Sequence, residues 1–460
     1  MARWTRRDLL VRTGGTGLGL FLLAPAGSAW SYQANEKLNL AVVGLGARGP
    51  YLVDVVKRVG ENLLAVCDVN RQRLQPIAQQ QPDVKTYQDF RRMLDEMDRQ
   101  LDALMVATPD HNLAVISAAA IKRGKHVYCE KPIAHDVAEA RRLRELARQH
   151  KVVTQMGNQG MATDAFRRTL ELIQDGAIGQ IREAHVWFVF GHPGYKERPK
   201  DTPPVPEYLD WDLWLGPAPY RPYHPSYLAS ERAWRGWRDF GTGWIGGGGS
   251  HAIHLTFQAL DLIAFWQGRA QGPIRIVPET QGEGSEGFPQ IEILRWEVPA
   301  RGQLPPAVIH WYNAPEEELR RRGIWQNLEK LAGRSLDWQK GWTPRSGSLL
   351  VGSKGLVHTN AHNSLCTFLP EKDFPQDIGR PQRLRSVQSH EREWFQACRG
   401  GPPAMSNFDY AGPAIEFLMA ANIATLVNRP IEFDPATLTI RNDPEAHRAI
   451  QGYHRPGWEV

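Results

Sequence analysis

Lys37 to Val43 is a β-type run, and Gly44-Leu45-Gly46-Ala47-Arg48-Gly49 follows it directly, before a stretch of helical spacing from Tyr51 to Val59. That order leaves the chain few options. The first glycine permits a tight turn, the second lets backbone approach a ligand, and the third lets the helix pack on the strand. Free N–H groups at the helix start then make a seat for phosphate. The next strand, Asn62 to Val66, runs into Cys67-Asp68. This places a carboxylate about twenty residues beyond the glycines, where it can bond ribose hydroxyls. The combination predicts a dinucleotide site. Asp68 favours NAD, because a carboxylate repels the additional phosphate of NADP, while Arg71 and Arg73 leave NADP open.

Two further strands are expected to end at the same sheet edge. Leu101 to Ala107 closes on Thr108-Pro109-Asp110-His111, and His126-Val127-Tyr128-Cys129 delivers Glu130 and Lys131 before Pro132. In open parallel sheets the carboxyl edge is where ligands bind. Proline biases the residue before it toward an extended backbone, which stops the strand and sets the direction of Lys131. His111 is a candidate for the cofactor ribose or a helix cap. After a helix from 136 to 149 and a strand from Val152 to Met156, Asn158 and Gln159 emerge at the same edge.

A chain of 460 residues exceeds what one core usually organises, so two domains are expected. The formal charge of +5 shrinks to about +2 once Arg3, Arg6, Arg7, Arg12 and Asp8 are set aside. That is too little to argue for nucleic acid or a membrane surface. Cys67, Cys129, Cys366 and Cys398 have neither zinc nor disulfide spacing. Thr5-Arg6-Arg7-Asp8-Leu9-Leu10, then an uncharged run from Thr13 to Ala29 ending in small residues, reads as a twin-arginine export signal. Its apolar part is short and glycine-interrupted, so no lasting membrane span is expected in the mature form. The expected divisions are the signal and linker at 1–35, a dinucleotide-binding domain at 36–157, and a substrate and oligomerisation domain at 158–460.

In that second domain Ile181 to Phe190, Gln290 to Val298, Ala307 to Asn313 and Ser348 to Thr359 read as strands with few helices between them, which suggests an antiparallel sheet. A surface insertion is expected at about 315–345, and Asn407 to Val427 reads as a helix packing back on the body. Trp234-Arg235-Gly236-Trp237-Arg238 leads into four glycines and Ser250-His251-Ala252-Ile253-His254. At i and i+3 on a helix the two histidines would share a face. His251 is a candidate base, or a helix N-terminal histidine bonded to backbone; His254 is a candidate substrate ligand or a packed helix residue. No third ligand accompanies them, so no metal site is expected. The tryptophans at 211, 214, 234, 237 and 244 read as a stacking floor for a sugar or as core. Arg235 and Arg238 read as grips for an oxygen-rich substrate, for cofactor phosphate, or as surface ion pairs.

With these residues in hand the chain resembles the Gfo/Idh/MocA family of oxidoreductases. The match runs through Ala41-Val42-Val43-Gly44-Leu45-Gly46, Thr108-Pro109-Asp110-His111, Glu130-Lys131-Pro132, Gly157-Asn158-Gln159-Gly160, Leu209-Asp210-Trp211 and Ser406-Asn407-Phe408-Asp409-Tyr410. It looks most like the exported branch. The resemblance implies an α/β chain: a doubly wound parallel Rossmann sheet, then an α/β domain with a large, mainly antiparallel open sheet often used for homo-oligomer contacts. It also implies that Lys131 works with His251 at a nicotinamide ring. Where the family commonly has an aspartate four residues before that histidine, this chain has Gly247.

The expected activity is oxidation of a sugar, polyol or glycoside hydroxyl. NAD or NADP would be held by Gly44, Leu45, Gly46, Ala47, Arg48, Gly49, Asp68, Thr108, Pro109, His111, Glu130, Lys131 and Asn158. Trp234, Arg235, Trp237, Arg238 and His254 would face substrate. An unperturbed lysine titrates near 10.4, so only about one in two thousand is free base at neutral pH, whereas a histidine near 6.5 needs no shift to accept a proton. The cofactor is expected to be tightly bound, because a compartment outside the cytoplasm offers no pool of it. Two other readings remain: redox-neutral glycoside cleavage through transient oxidation, and a sugar-binding protein without turnover.

Overall fold

The computed structural model describes residues 37–280, 286–338, 343, 345–375 and 377–460. The stretch read as an export signal lies outside them. Six parallel strands form the first sheet: β1 (Asn39–Val43), β2 (Asn62–Cys67), β3 (Lys85–Tyr87), β4 (Ala103–Val106), β5 (His126–Glu130) and β6 (Thr154–Gly157). Their order is β3-β2-β1-β4-β5-β6, with the chain reversing its direction of travel across the sheet beside β1. Ala103, Leu104, Met105 and Val106 are all buried, as expected of a central strand covered on both faces. The carboxyl ends of β1, β4 and β5 therefore open on one crevice, the usual ligand site of such sheets.

The second sheet has nine strands: β7 (Ile181–Phe188), β8 (Ile274–Pro278), β9 (Glu292–Val298), β10 (Ala307–Asn313), β11 (Gly347–Gly352), β12 (Leu356–Asn360), β13 (Cys366–Leu369), β14 (Ile431–Asp434) and β15 (Thr439–Ile440). Their order is β13-β12-β11-β7-β10-β9-β8-β14-β15. Only the β7–β10 pair is parallel; the remaining neighbours are antiparallel. The whole is thus an α/β fold with a Rossmann-type sheet and a mixed, mostly antiparallel one. The run from Ser348 to Thr359, expected as a single strand, is a hairpin of β11 and β12, since Gly352-Ser353-Lys354-Gly355 turns the chain.

The helix Phe408–Val427 holds the two sheets together. It packs on the helix Val137–His150 beside the first sheet and on β8 of the second. Arg141 of that helix grips Glu416 with two bonds of 2.9 and 2.8 Å, and Trp266 Nε1 donates to the same carboxylate at 2.7 Å. Among the described residues this is the one helix long and apolar enough to span a bilayer, and 89% of its apolar window is buried. It is a core helix. In the region expected as a surface insertion, two helices, Glu316–Arg321 and Ile324–Ala332, bury Leu319, Trp325 and Leu328 against Trp187 and Leu349 of the sheet.

Candidate active site between the two sheets

A cleft of about 580 Å³ runs along the carboxyl edge of the first sheet and is closed from the other side by segments of the second domain. Gly44, with φ of +88°, starts the turn after β1, and a Cβ there would lie 2.5 Å from the carbonyl oxygen of Ala107. A Cβ on Gly49 would lie 2.0 Å from the Gly44 oxygen, so the turn and the helix Gly49–Val59 pack at glycine distance. No side chain caps that helix at Arg48. Pro50 in its first turn carries no N–H, so Gly49 and Tyr51 supply the N–H groups that an anion would meet there. Asp68 sits at the end of β2, its carboxylate accepting from Leu45 N at 2.6 Å and Asn70 N at 2.8 Å. These bonds aim it into the cleft beside Arg73, 3.6 Å away. Arg71 is turned aside to the Glu207 carbonyl. Trp458, packed on Phe90 and under Arg91, lines the same wall.

Glu130 and Lys131 emerge from β5 as expected. Glu130 is buried and takes Arg48 Nε at 3.0 Å; burial raises its pKa, and Arg48 opposes the rise. Lys131 Nζ donates to the carbonyl oxygen of Gly247 at 2.8 Å, joining the first domain to the glycine run of the second. The turn beyond it is held by packing: the fully buried Ile133 has φ of 64°, a conformation β-branched residues rarely adopt. His251 lines the cleft with Lys131, edge-on to His362 with ring centroids 4.6 Å apart. Burial, with Lys131 and His362 adding to it, pushes the His251 imidazole well below its ordinary 6.5. The ring is neutral at pH 7 but a weaker base than an unperturbed histidine, which alters the expectation that it needs no shift.

Of the residues expected at the site, Gly44, Gly46, Ala47, Arg48, Asp68, Thr108, Pro109, Glu130, Lys131, His251, Trp234 and Arg235 line this cleft. Leu45 contributes its backbone N–H to Asp68, and Gly49 serves packing. Five others are placed elsewhere. His111 is buried, its Nδ1 3.0 Å from the Phe240 oxygen and its Nε2 2.9 Å from the Trp214 oxygen, and burial lowers it to about 4. It clamps the two domains. Asn158 turns its amide to Ser406 Oγ at 2.5 Å and to Met161. Trp237 stacks on Tyr195 at 4.3 Å within an aromatic cluster. Arg238 donates to the Gly287 oxygen and lies over Phe288, in a smaller cavity.

His254 fails to share a face with His251 because the helix breaks at Ile253 into Gly249–Ala252 and His254–Ala259. Its ring meets Tyr410 Oη at 2.8 Å and the Ser250 oxygen at 2.6 Å, and burial lowers it to about 4. Of the five tryptophans weighed as a sugar floor, Trp214 and Trp234 reach the cleft. Trp211 stacks on Trp214, and Trp244 on Phe190.

His362 was not expected. It lies in the turn after β12, and a Cβ on Gly160 would sit 1.7 Å from its carbonyl oxygen, so only glycine at 160 admits this turn. Asn363 secures the turn by donating to Thr359 Oγ1 at 2.7 Å and accepting from Leu255 N. No spacing in the sequence marks it. Asp110, which accepts from the Thr242 N–H and hydroxyl at 3.0 and 2.6 Å, is a second unanticipated tie between the domains.

Residues 38–158 match the GFO_IDH_MocA family, described as "Oxidoreductase family, NAD-binding Rossmann fold", and residues 185–269 match its "C-terminal alpha/beta domain". Among curated relatives, a myo-inositol 2-dehydrogenase of Thermotoga maritima is 26% identical over 31% of this chain and 42% of its own length. A levoglucosan dehydrogenase of Pseudarthrobacter phenanthrenivorans is 32% identical over 20% of this chain and 23% of its own. The chain thus spans less than half the length of these relatives. Among solved structures, the WlbA dehydrogenase of Bordetella pertussis in complex with NADH and UDP-GlcNAcA has a TM-score of 0.57 at 15% identity, covering 86% of this chain and 99% of that one. An aldose-aldose oxidoreductase of Caulobacter crescentus has a TM-score of 0.53 at 15% identity, covering 86% and 100%. At that identity the likeness is one of fold. By these two matched segments, residues 38–158 and 185–269, the chain is similar to the Gfo/Idh/MocA oxidoreductase family.

Proposed function

We propose that the chain is an exported NAD(P)-dependent dehydrogenase, with NAD favoured, that oxidises a hydroxyl carbon of a sugar or polyol. One observation carries the reading: Lys131 from the first domain and His251 from the second line the same cleft as the Gly44 turn and Asp68. The cleft residues fit the cofactor. The uncapped helix start after Arg48 suits its pyrophosphate, and the oriented carboxylate of Asp68 suits a ribose. When bound, NAD supplies the hydride acceptor. The protein's part is to position the hydroxyl and take its proton. His251 is neutral because burial and the nearby ammonium disfavour its charged form, so it can accept. Lys131, fixed by the Gly247 carbonyl, would bring its ammonium charge to the hydroxyl oxygen.

The dehydrogenases among the relatives favour net oxidation over redox-neutral cleavage. The twin-arginine stretch supports export to the periplasm through the twin-arginine machinery, and a compartment without free nucleotide supports tight retention of the cofactor. The half-exposed face of β9 and β10, bearing Arg295, Glu297, His310 and Tyr312, supports contact with a second copy. The test is to denature the purified mature protein and identify the nucleotide released, then to add sugars and polyols and read absorbance near 340 nm. Release of NAD and a lasting rise with one of these compounds is the expected result. Absence of nucleotide, together with no binding of added NAD(P), would remove the reading.

A further inference from the structure

Arg235 ends the short helix Glu231–Arg235 and lines the cleft with Lys131 and His251. Its side chain lies against Gly247: a Cβ built there would be 3.0 Å from Arg235 Cδ and 3.3 Å from Nε. The residue whose carbonyl receives Lys131 therefore makes room, by having no side chain, for this arginine. The guanidinium lies 4.9 Å from the Trp234 ring centroid. Its Nε is buried without a hydrogen-bond partner, and among the described residues no carboxylate lies within ion-pair distance of it. Its neighbours differ. Arg221 is paired with Asp239 and Glu286, Arg198 with Glu286, and Arg238 bonds the Gly287 carbonyl.

The charge balance at this end of the cleft agrees. Glu130, the carboxylate beside Lys131, is bonded by Arg48, and among the described residues no ion pair joins Arg235 to a carboxylate. A buried donor left without a partner is costly unless a ligand completes it. A planar guanidinium is the group that best receives a carboxylate or phosphate, through two parallel bonds. We propose that the substrate is an anionic sugar derivative whose carboxylate or phosphate is received by Arg235, placing the hydroxyl to be oxidised at Lys131 and His251. The proposal rests on the dehydrogenase reading and names its substrate class. An anion there also supplies the negative charge that Gly247 lacks.

The test uses the full-length mature protein loaded with NAD, titrated with D-glucuronate, D-glucose 6-phosphate and D-glucose while tryptophan fluorescence is followed. At least one anionic sugar should bind 10-fold or more tightly than glucose, and the uronate and phosphate arms identify which anion. Arg235→Met should abolish that preference, a loss of about 10-fold or more in affinity for the anionic sugar, with NAD affinity unchanged, and Arg235→Lys should recover part of it. Equal binding of all three sugars, or a preference that survives Arg235→Met, would overturn the proposal. An anion preference without any NAD binding would instead remove the dehydrogenase reading and leave the anion site. NAD-dependent oxidation confined to neutral sugars would do the reverse.

Discussion

Lys131 Nζ lies 2.8 Å from the carbonyl oxygen of Gly247, so the lysine at the end of β5 is held by backbone of the other domain. An acceptor of this kind fixes direction without neutralising the ammonium. Replacing Lys131 with Met should lower turnover by roughly 10²- to 10⁴-fold, the usual worth of a positioned acid or base. NAD affinity, read by fluorescence titration, should change little, since the phosphate and ribose contacts lie elsewhere along the cleft.

Because burial and Lys131 press the His251 pKa below 6.5, its neutral form persists as pH falls through neutrality. The rate should stay level from pH 7 through 6.5 and fall only at lower pH. Gly247→Asp would place a carboxylate beside Arg235 and near this imidazole, favouring its charged form. The acid limb of kcat/KM should then move to higher pH, as a pH–rate profile would read.

Asp68→Ala removes a carboxylate that also holds Leu45 N and Asn70 N. NAD affinity should fall by about 10- to 100-fold, the worth of one or two charge-assisted bonds. NADP should lose less, because Arg73 remains and the repulsion of its phosphate is gone. Parallel titrations with the two nucleotides measure the ratio.

His111→Leu would remove the single N–H of the neutral ring from the carbonyls at the junction of the domains, and with it the ring nitrogen that faces the Asn112 amide. A loss of about 2 kcal/mol is expected in denaturant unfolding. Cofactor binding should be affected less than stability, in keeping with a clamp rather than a ligand.

His111, His254 and His310 are held neutral by burial to about 4, and His358 to about 3. Unfolded, each would take a proton near 6.5, so the unfolded state binds more protons between these values. Their contribution to stability is complete above pH 6.5 and declines as pH falls toward 4. Tm measured from pH 7.5 to 4.5 should drop progressively below 6.5, and less steeply in His254→Gln.

The strand-turn-helix from Lys37 to Val59, the carboxylate at Asp68 and the delivery of Glu130 and Lys131 were legible in the residues alone. Each depends on local backbone demands: β-branched runs extend, glycines admit a tight turn, and a proline ends the strand. The choice among the histidines, tryptophans and arginines of the second domain was not legible. His251 and His254 stand three residues apart in a helical register, yet a break at Ile253 sends one to the cleft and the other to Tyr410. Trp234 and Arg235 face the cleft while Trp237 and Arg238 pack away from it, and His362 arrives through a turn that only Gly160 has space to receive. Such side chains are chemically interchangeable as core or ligand. Which role each takes is set by what the distant segments of the chain bring against it, and only the packed tertiary structure supplies those neighbours.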